Sequence, residues 1–159
     1  MELIRGWHNL EPAHRGCAVT IGAFDGVHLG HQSVLTHLTE EAAKRGVPTT
    51  VVIFEPLPRE YLRPLEAPPR ITTLRDKWPL LEACGVDRVL CLPFNERLRQ
   101  LSAREFVEKV FVEGLGVQYL AFGEEFRFGN RREGDLESVR ALADDFRYAV
   151  APTPTCEVG

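Results

Sequence analysis

The sequence lacks several features that define common classes of protein. Its four cysteines form no C-x-x-C pair, which excludes a zinc ribbon and a thioredoxin-like redox motif. No window approaches the roughly 20 apolar residues of a transmembrane helix, and the N-terminus, with charges at Glu2 and Arg5, lacks the apolar run of a secretory signal. We therefore expect a cytoplasmic protein with no membrane partner.

An excess of positive charge is also missing. The formal net charge is -4 over 159 residues. DNA, RNA and anionic membranes select basic surfaces, so we do not expect nucleic acid as a partner. We expect a small-molecule ligand instead. With 44% hydrophobic residues, a chain of this length is the right size for one domain with a substantial core.

Short apolar runs at residues 17–21, 50–54, 88–92 and 119–122 predict four strands, and "YAVAPT" predicts a fifth. The runs are continuous rather than alternating, as in a parallel sheet covered by helices on both faces. The expected fold class is therefore α/β, a Rossmann-like parallel sheet of about five strands flanked by helices. Cys17 and Cys91 lie in these runs and are expected to be reduced core thiols.

Helical patterns separate the apolar runs. One helix is predicted to end at Gly46, one is opened by the capping box of Ser102 and Glu105, and one begins near Asp135. Pro79 stands inside a fourth helical pattern and predicts that this helix is kinked or starts late.

The stretch "TIGAFDGVHLGHQSVL", residues 20–35, places three glycines and two histidines at a strand-to-helix turn. In an open α/β sheet this turn presents free backbone N–H groups and the positive end of the helix to anions. Gly22 and Gly26 permit a tight turn, and Gly30 lets a phosphate chain approach the backbone. The turn is therefore a candidate phosphate site.

His28 and His31 are three positions apart, so on a helix they project toward the same space and can donate hydrogen bonds to phosphate oxygens. The stretch is neither G-x-G-x-x-G nor a P-loop. A metal site is disfavoured because His37 falls on another helix face and no nearby cysteine completes a ligand set. The alternative is that His28 and His31 are ordinary surface or core residues, but it would not explain the three glycines and Asp25.

A second polar stretch, "FGEEFRFGNRREGD", follows the fourth run. Phe126 and Phe128 offer apolar planes, and Arg127, Arg131 and Arg132 offer cations, a combination that suits a planar ring bearing a phosphate. The alternative for this stretch is a solvated glycine turn.

"GAFDGVHLGH" resembles the G-x-F-D-x-x-H-x-G-H signature of the α/β nucleotidyltransferases. With "VVIFEPLPREYL", "PRITTLRDKWPLLEACGVDRVLCLPF" and "AFGEEFRFGNRREGD", the chain is similar to the N-terminal adenylyltransferase domain of bifunctional bacterial riboflavin kinase/FAD synthetase. The resemblance implies adenylyl transfer from ATP to FMN, giving FAD and pyrophosphate, with Mg²⁺ carried by ATP and no metal site on the protein.

The resemblance also implies roles for particular residues. The catalytic residues would be His28 and His31, and the ATP-binding residues Gly22, Phe24, Asp25, Gly26 and Gly30. The flavin-binding residues would be Phe54, Pro56, Pro58, Glu125, Phe126, Arg127, Phe128 and Arg132. Glu125 departs from the family pattern, which usually has Asp or Asn there.

By the same resemblance, residues 1–159 form the FMN adenylyltransferase domain, and the sequence stops before a Ser/Thr-Arg segment and a C-terminal riboflavin kinase domain, the expected partner. Two alternatives stay open. One is another nucleotidyltransferase with the H-x-G-H turn, for cytidylyl or pantetheine-phosphate adenylyl transfer. The other is a non-catalytic fragment that binds a nucleotide or flavin.

Overall fold

Six strands form one parallel sheet. The computed structural model describes residues 1–21, 29–54, 74–92, 98, 100–123 and 136–153. The strands are β1 Glu2–Arg5, β2 Cys17–Ile21, β3 Thr49–Phe54, β4 Arg88–Leu92, β5 Val117–Gly123 and β6 Ala149–Thr153. Their order across the sheet is β1-β4-β3-β2-β5-β6.

Four helical elements connect these strands within the described residues. They are α1 Leu29–Arg45, α2 Leu74–Ala83, α3 Ala103–Phe106, which continues with π-helical hydrogen bonding over Val107–Gly114, and α4 Leu136–Phe146. Two short 3-10 turns, Trp7–Asn9 and Pro12–His14, lie in the connection from β1 to β2.

The core confirms that both faces of the sheet are covered. On one face, Val19, Val52 and Leu120 pack with residues of α3 and α4. On the other face, Leu35 of α1 and Leu81 of α2 pack on strands β3 and β4, and Leu38 and Ala42 of α1 pack on β2 and β5. Continuous apolar runs are therefore required in the inner strands β2, β3, β4 and β5, which bury both of their sides.

The predicted fold class is confirmed, with six strands in place of about five. The additional strand is β1, which lies at the edge of the sheet and is charged at both ends, with Ile4 as its buried side chain. Such a short segment carries no apolar run for a sequence pattern to detect. The predicted strand in "YAVAPT" is confirmed as β6.

The predicted helix ends follow from backbone hydrogen bonding. After α1, Gly46 takes a φ of 67°, and the N–H of Val47 donates to the Ala42 carbonyl at 3.0 Å, which closes the helix in a Schellman motif. At the start of α3, the Glu105 N–H donates to the Ser102 hydroxyl at 3.1 Å, and the Ser102 N–H donates to the Glu105 carboxylate at 3.2 Å. The predicted capping box is confirmed.

Pro79 lies inside α2. The prediction is a kinked helix or a late start, and a late start is not observed, because the helix begins at Leu74, one turn or more before the proline. As the sixth residue of the helix, Pro79 removes the hydrogen bond that its N–H would otherwise donate to the Arg75 carbonyl.

Candidate functional site

The carboxyl ends of all six strands meet at one edge of the sheet, because every pair of neighbours is parallel. From β2 the chain moves outward through β3 to β4, and it then crosses to β5 on the other side of β2. The strand order therefore reverses between β2 and β5. In open α/β sheets, ligands bind outside the carboxyl ends of the strands at such a switch point.

The pairing of β2 with β5 fixes where the two predicted binding stretches leave the sheet. Ile21, the last residue of β2, pairs with Phe122 near the end of β5. Paired strands lie about 4.8 Å apart, so residues 22–28 and residues 124–135 start from neighbouring positions at the same edge. Two stretches that are about a hundred residues apart in sequence thus begin side by side.

Most of the predicted site residues fall in these two stretches and lie outside the described residues. In the first stretch these are Gly22, Phe24, Asp25, Gly26 and His28, and in the second they are Glu125, Phe126, Arg127, Phe128, Arg131 and Arg132. Their anchoring strands are described, and their own geometry is not. The roles assigned to them stay predictions.

Helix α1 brings two further predicted residues to the same edge. The helix begins at Leu29, so Gly30 and His31 are its second and third residues. The first turn of α1 contains no acidic residue, and its last turn contains Lys44 and Arg45. The positive end of the helix dipole therefore lies at the carboxyl edge of the sheet. Because no carboxylate in the first turn neutralises it, this end of the helix favours a bound anion.

The predicted flavin-binding loop begins on the other side of β2. Phe54 is the last residue of β3 and pairs with Leu92, the last residue of β4. Pro56 and Pro58 follow in residues 55–73, outside the described part of the chain. The three predicted stretches thus follow β3, β2 and β5, which are adjacent strands.

Thr20 is a residue of this edge that sequence reasoning missed. Its buried hydroxyl donates to the Ala121 carbonyl at 3.0 Å, which joins β2 to β5 one residue before β2 ends. The bond reinforces the two strands that flank the switch point. A single threonine inside the apolar run "CAVTI" gives no sequence signal for this role.

Two buried titratable groups with shifted pKa values lie at the opposite, amino, end of the strands. Burial raises the pKa of the Cys17 thiol, which donates to the Leu115 carbonyl at 3.3 Å from the first position of β2. Burial also raises the pKa of Tyr148, just before β6. Cys17 and Cys91 are buried core residues, as expected. Because Cys17 and Tyr148 lie at the amino ends of their strands, neither is placed to act at the carboxyl edge.

His37 lies farther along α1 than His31 and contacts Tyr119. Its Nε2 is 2.8 Å from the Tyr119 hydroxyl, and the Arg45 guanidinium stacks 4.6 Å from the centre of the Tyr119 ring.

Among the described residues, no group of three or more His, Cys, Asp or Glu side chains could hold a metal ion. No helix in the described ranges is long and apolar enough to span a bilayer.

A parallel sheet with a switch point beside an anion-favouring helix start defines a Rossmann-like α/β domain of the nucleotide-binding type. The chain belongs to the FAD synthetase family, whose family model matches residues 10–159.

Two relatives carry the name bifunctional riboflavin kinase/FMN adenylyltransferase. The protein from Pseudomonas fluorescens is 51% identical over 158 residues, which are 99% of this chain and 50% of that protein. The protein from Escherichia coli K12 is 45% identical over 161 aligned positions, covering 100% of this chain and 51% of that protein. The chain thus spans about half the length of the curated relatives it matches.

Two solved structures share the fold. A protein from Streptococcus pneumoniae described as a macrolide-efflux protein superposes with a TM-score of 0.79 at 22% identity, covering 99% of this chain and 52% of that one. Pantoate-beta-alanine ligase from Francisella tularensis superposes with a TM-score of 0.58 at 13% identity, covering 99% of this chain and 68% of that one. At these identities the likeness concerns the fold alone.

Proposed function

We propose that this domain transfers the adenylyl group of ATP to FMN, giving FAD and pyrophosphate. The observation that carries the proposal is the Ile21–Phe122 pairing, because it starts the glycine–histidine stretch and the Phe/Arg-rich stretch side by side at the switch point. Membership of the FAD synthetase family supports the same reaction. The other activity in the relatives' name, riboflavin kinase, we assign to the half of those proteins that this chain does not match.

In the proposed reaction, an oxygen of the FMN phosphate attacks the α-phosphorus of ATP. A new P–O bond forms, the bond from the α-phosphorus to the bridging oxygen breaks, and pyrophosphate leaves with both electrons of that bond. The two substrates supply nucleophile and leaving group, so no covalent enzyme intermediate is needed. Catalysis then consists of positioning and charge stabilisation.

We assign charge stabilisation to the start of α1. His28 and His31 would donate hydrogen bonds to triphosphate oxygens as negative charge moves to the leaving group, and the helix dipole would add to the attraction. Gly22, Gly26 and Gly30 would let the phosphates approach the backbone. Asp25 would orient the loop and Phe24 would complete the ATP site, while Mg²⁺ would enter bound to ATP.

We assign FMN to the two flanking stretches. Phe54, Pro56 and Pro58 would line the ring on the β3 side. On the β5 side, ring contacts and phosphate contacts would come from Glu125, Phe126, Arg127, Phe128 and Arg132. The location of these stretches on either side of β2 supports this division, since the FMN phosphate must reach the ATP bound at α1.

The direct test is to incubate the chain with FMN, ATP and Mg²⁺ and to measure FAD and pyrophosphate. CTP in place of ATP, and pantetheine phosphate in place of FMN, are the controls for the two other nucleotidyltransferase reactions. Formation of FAD that depends on ATP supports the proposal. Tight binding of FMN and ATP without turnover would instead identify a non-catalytic binding fragment.

A further inference from the structure

The pairing of β2 with β5 has an irregular register at its amino end. Cys17 pairs with Val117. The next residue of β2, Ala18, pairs with Tyr119, so β5 carries one extra residue, the exposed Gln118, between the two pairs. On its other side, β2 keeps a continuous register with β3. Because an extra residue disrupts the ladder locally, the start of β5 does not determine the offset of the pairs that follow.

This offset determines how the two substrates of the proposed reaction are placed. In that reaction, ATP is held by residues that follow β2, and FMN is held in part by residues that follow β5, so the present inference rests on the proposed function. One residue along a strand is about 3.3 Å, and a misplacement of about 1 Å between reacting groups can cost about 10² in rate. The strand pair must therefore end with a precise offset at the carboxyl edge.

Core packing fixes the faces of these strands but not the exact offset of their last pairs. Leu120 is buried on the side of α3 and α4, whereas Tyr119 and Ala121 are buried on the side of α1. A slip by one whole residue would exchange these faces, so the core prevents it. Smaller movements along the strand leave every side chain on its own face, and a directional contact is needed to oppose them.

Thr20 supplies such a contact. It lies in the third of the four pairs between the extra residue and the edge, and its hydroxyl donates to the Ala121 carbonyl at 3.0 Å. The side chain is 2% exposed, so water does not compete for the bond. Threonine is branched at Cβ and has few allowed rotamers, so the bond holds one backbone at a defined position against the other.

We propose that Thr20 is a positioning residue for adenylyl transfer. Its hydroxyl sets the offset of β2 and β5 at the carboxyl edge and, through it, the distance between the α-phosphorus of ATP and the attacking oxygen of FMN. In this role Thr20 contacts neither substrate. Without the hydroxyl, each substrate would still bind to its own stretch, so the loss appears in the chemical step rather than in binding.

The test is Thr20→Val in the full chain, because valine has the same shape and cannot make the bond. FAD formation is measured at saturating ATP and FMN, in steady state and in a single turnover. We expect kcat to fall about 10- to 100-fold, while the KM for ATP and the Kd of FMN change less than about threefold. Thr20→Ser keeps the hydroxyl and should restore most of kcat.

Thr49→Val is the matched control, because it removes another buried and bonded threonine hydroxyl at the opposite, amino, end of β3. The Thr49 hydroxyl accepts from the Asp87 N–H at 3.0 Å and lies 3.2 Å from the Gly85 carbonyl. Thr49→Val should therefore lower the thermal unfolding midpoint at least as far as Thr20→Val does, and it should leave kcat unchanged. If Thr20→Val does not fold, Thr20→Cys, whose thiol is a weak donor, takes its place with the same expected fall in kcat.

The outcomes separate this inference from the proposed function. Wild-type kcat in Thr20→Val, or an equal fall of kcat in Thr49→Val, would overturn the inference and leave adenylyl transfer intact. A change confined to the KM for ATP or the Kd of FMN would overturn it as well, since Thr20 would then act on binding. If the wild-type chain formed no FAD, the inference and the proposed function would both fail.

Discussion

Ile21 and Phe122 are direct partners across the β2–β5 pair, and each lies at or next to the last residue of its strand. The pairing converts two stretches that are distant in sequence into neighbours. Thr20 strengthens the same junction through its bond to the Ala121 carbonyl. Thr20, Ile21 and Ala121 are buried, so this junction can hold the edge of the sheet in place whether or not a ligand is bound.

His31→Ala should lower kcat for FAD formation by about 10²–10³, because one donor to the developing charge is removed. The thermal unfolding midpoint should change little. His37→Ala, on the same helix but hydrogen-bonded to Tyr119, should retain wild-type kcat. Steady-state rates of pyrophosphate release measure both variants. Wild-type turnover in His31→Ala would remove this residue from the proposed machinery.

Gly116→Ala should destabilise the fold more than Gly46→Ala. Both glycines have positive φ, 55° and 67° respectively, which costs an alanine about 1–2 kcal/mol. At Gly116 the added Cβ would also lie 2.8 Å from the Gly16 backbone nitrogen, whereas nothing lies within 4 Å at Gly46. We expect a further loss of roughly 1–3 kcal/mol for Gly116→Ala. Urea denaturation gives both free energies of unfolding, and equal losses would contradict the close approach.

The charge of Glu105 should stabilise the start of α3 in a pH-dependent way. Hydrogen bonds from the Ser102 backbone and side chain hold the pKa of Glu105 below its ordinary value of 4.5. A carboxylate with a lowered folded-state pKa stabilises the fold above pH 4.5, and this contribution disappears as the pH falls through the lowered pKa. The wild type should therefore be more stable than Glu105→Gln at about pH 7, and the difference should shrink as the pH falls below 4.5.

The matched variant for this prediction is Ser102→Ala, which removes the other half of the capping box. It should cost about 1 kcal/mol at neutral pH and also weaken the pH dependence attributed to Glu105. Free energies of unfolding from urea titrations at several pH values test both statements. A constant difference between wild type and Glu105→Gln across the pH range would refute the electrostatic explanation.

Tyr148→Phe should destabilise the protein by about 1 kcal/mol, because the buried Tyr148 hydroxyl donates to the Val139 carbonyl at 2.7 Å. Tyr119→Phe should cost less, since the hydroxyl of Tyr119 is bonded to the exposed His37, where water can replace it. Calorimetric unfolding of the two variants gives the comparison. A larger loss for Tyr119→Phe would contradict the argument that the Tyr148 hydroxyl bond is the better shielded from water.

Much of the fold follows from local sequence signals. Buried parallel strands require continuous apolar runs, and the runs at β2 and β4 match the strands residue for residue. Strand β1 gave no such run, because an edge strand with one buried side chain is held by pairing with a distant strand. The change to π-helical bonding after Phe106 was also unforeseen, since the apolar stripe of this segment fits either helix type.

The sequence indicates at which edge of the sheet the candidate site begins, but it does not indicate which strand pairing and hydrogen bonds hold that edge together. Glycines and histidines after an apolar run indicate an anion site at a carboxyl edge, and the sheet places that edge at the switch point. Which strand neighbours β2 depends on tertiary packing, so the pairing with β5 and the role of Thr20 had no local signal. The geometry of His28, Asp25 and the Phe/Arg-rich stretch stays a prediction.

The position of β1 has a consequence for synthesis on the ribosome. This strand is translated before its neighbour in the sheet, β4, which follows only after α1, β3 and α2. Strand β1 therefore has no sheet partner during synthesis until β4 is available.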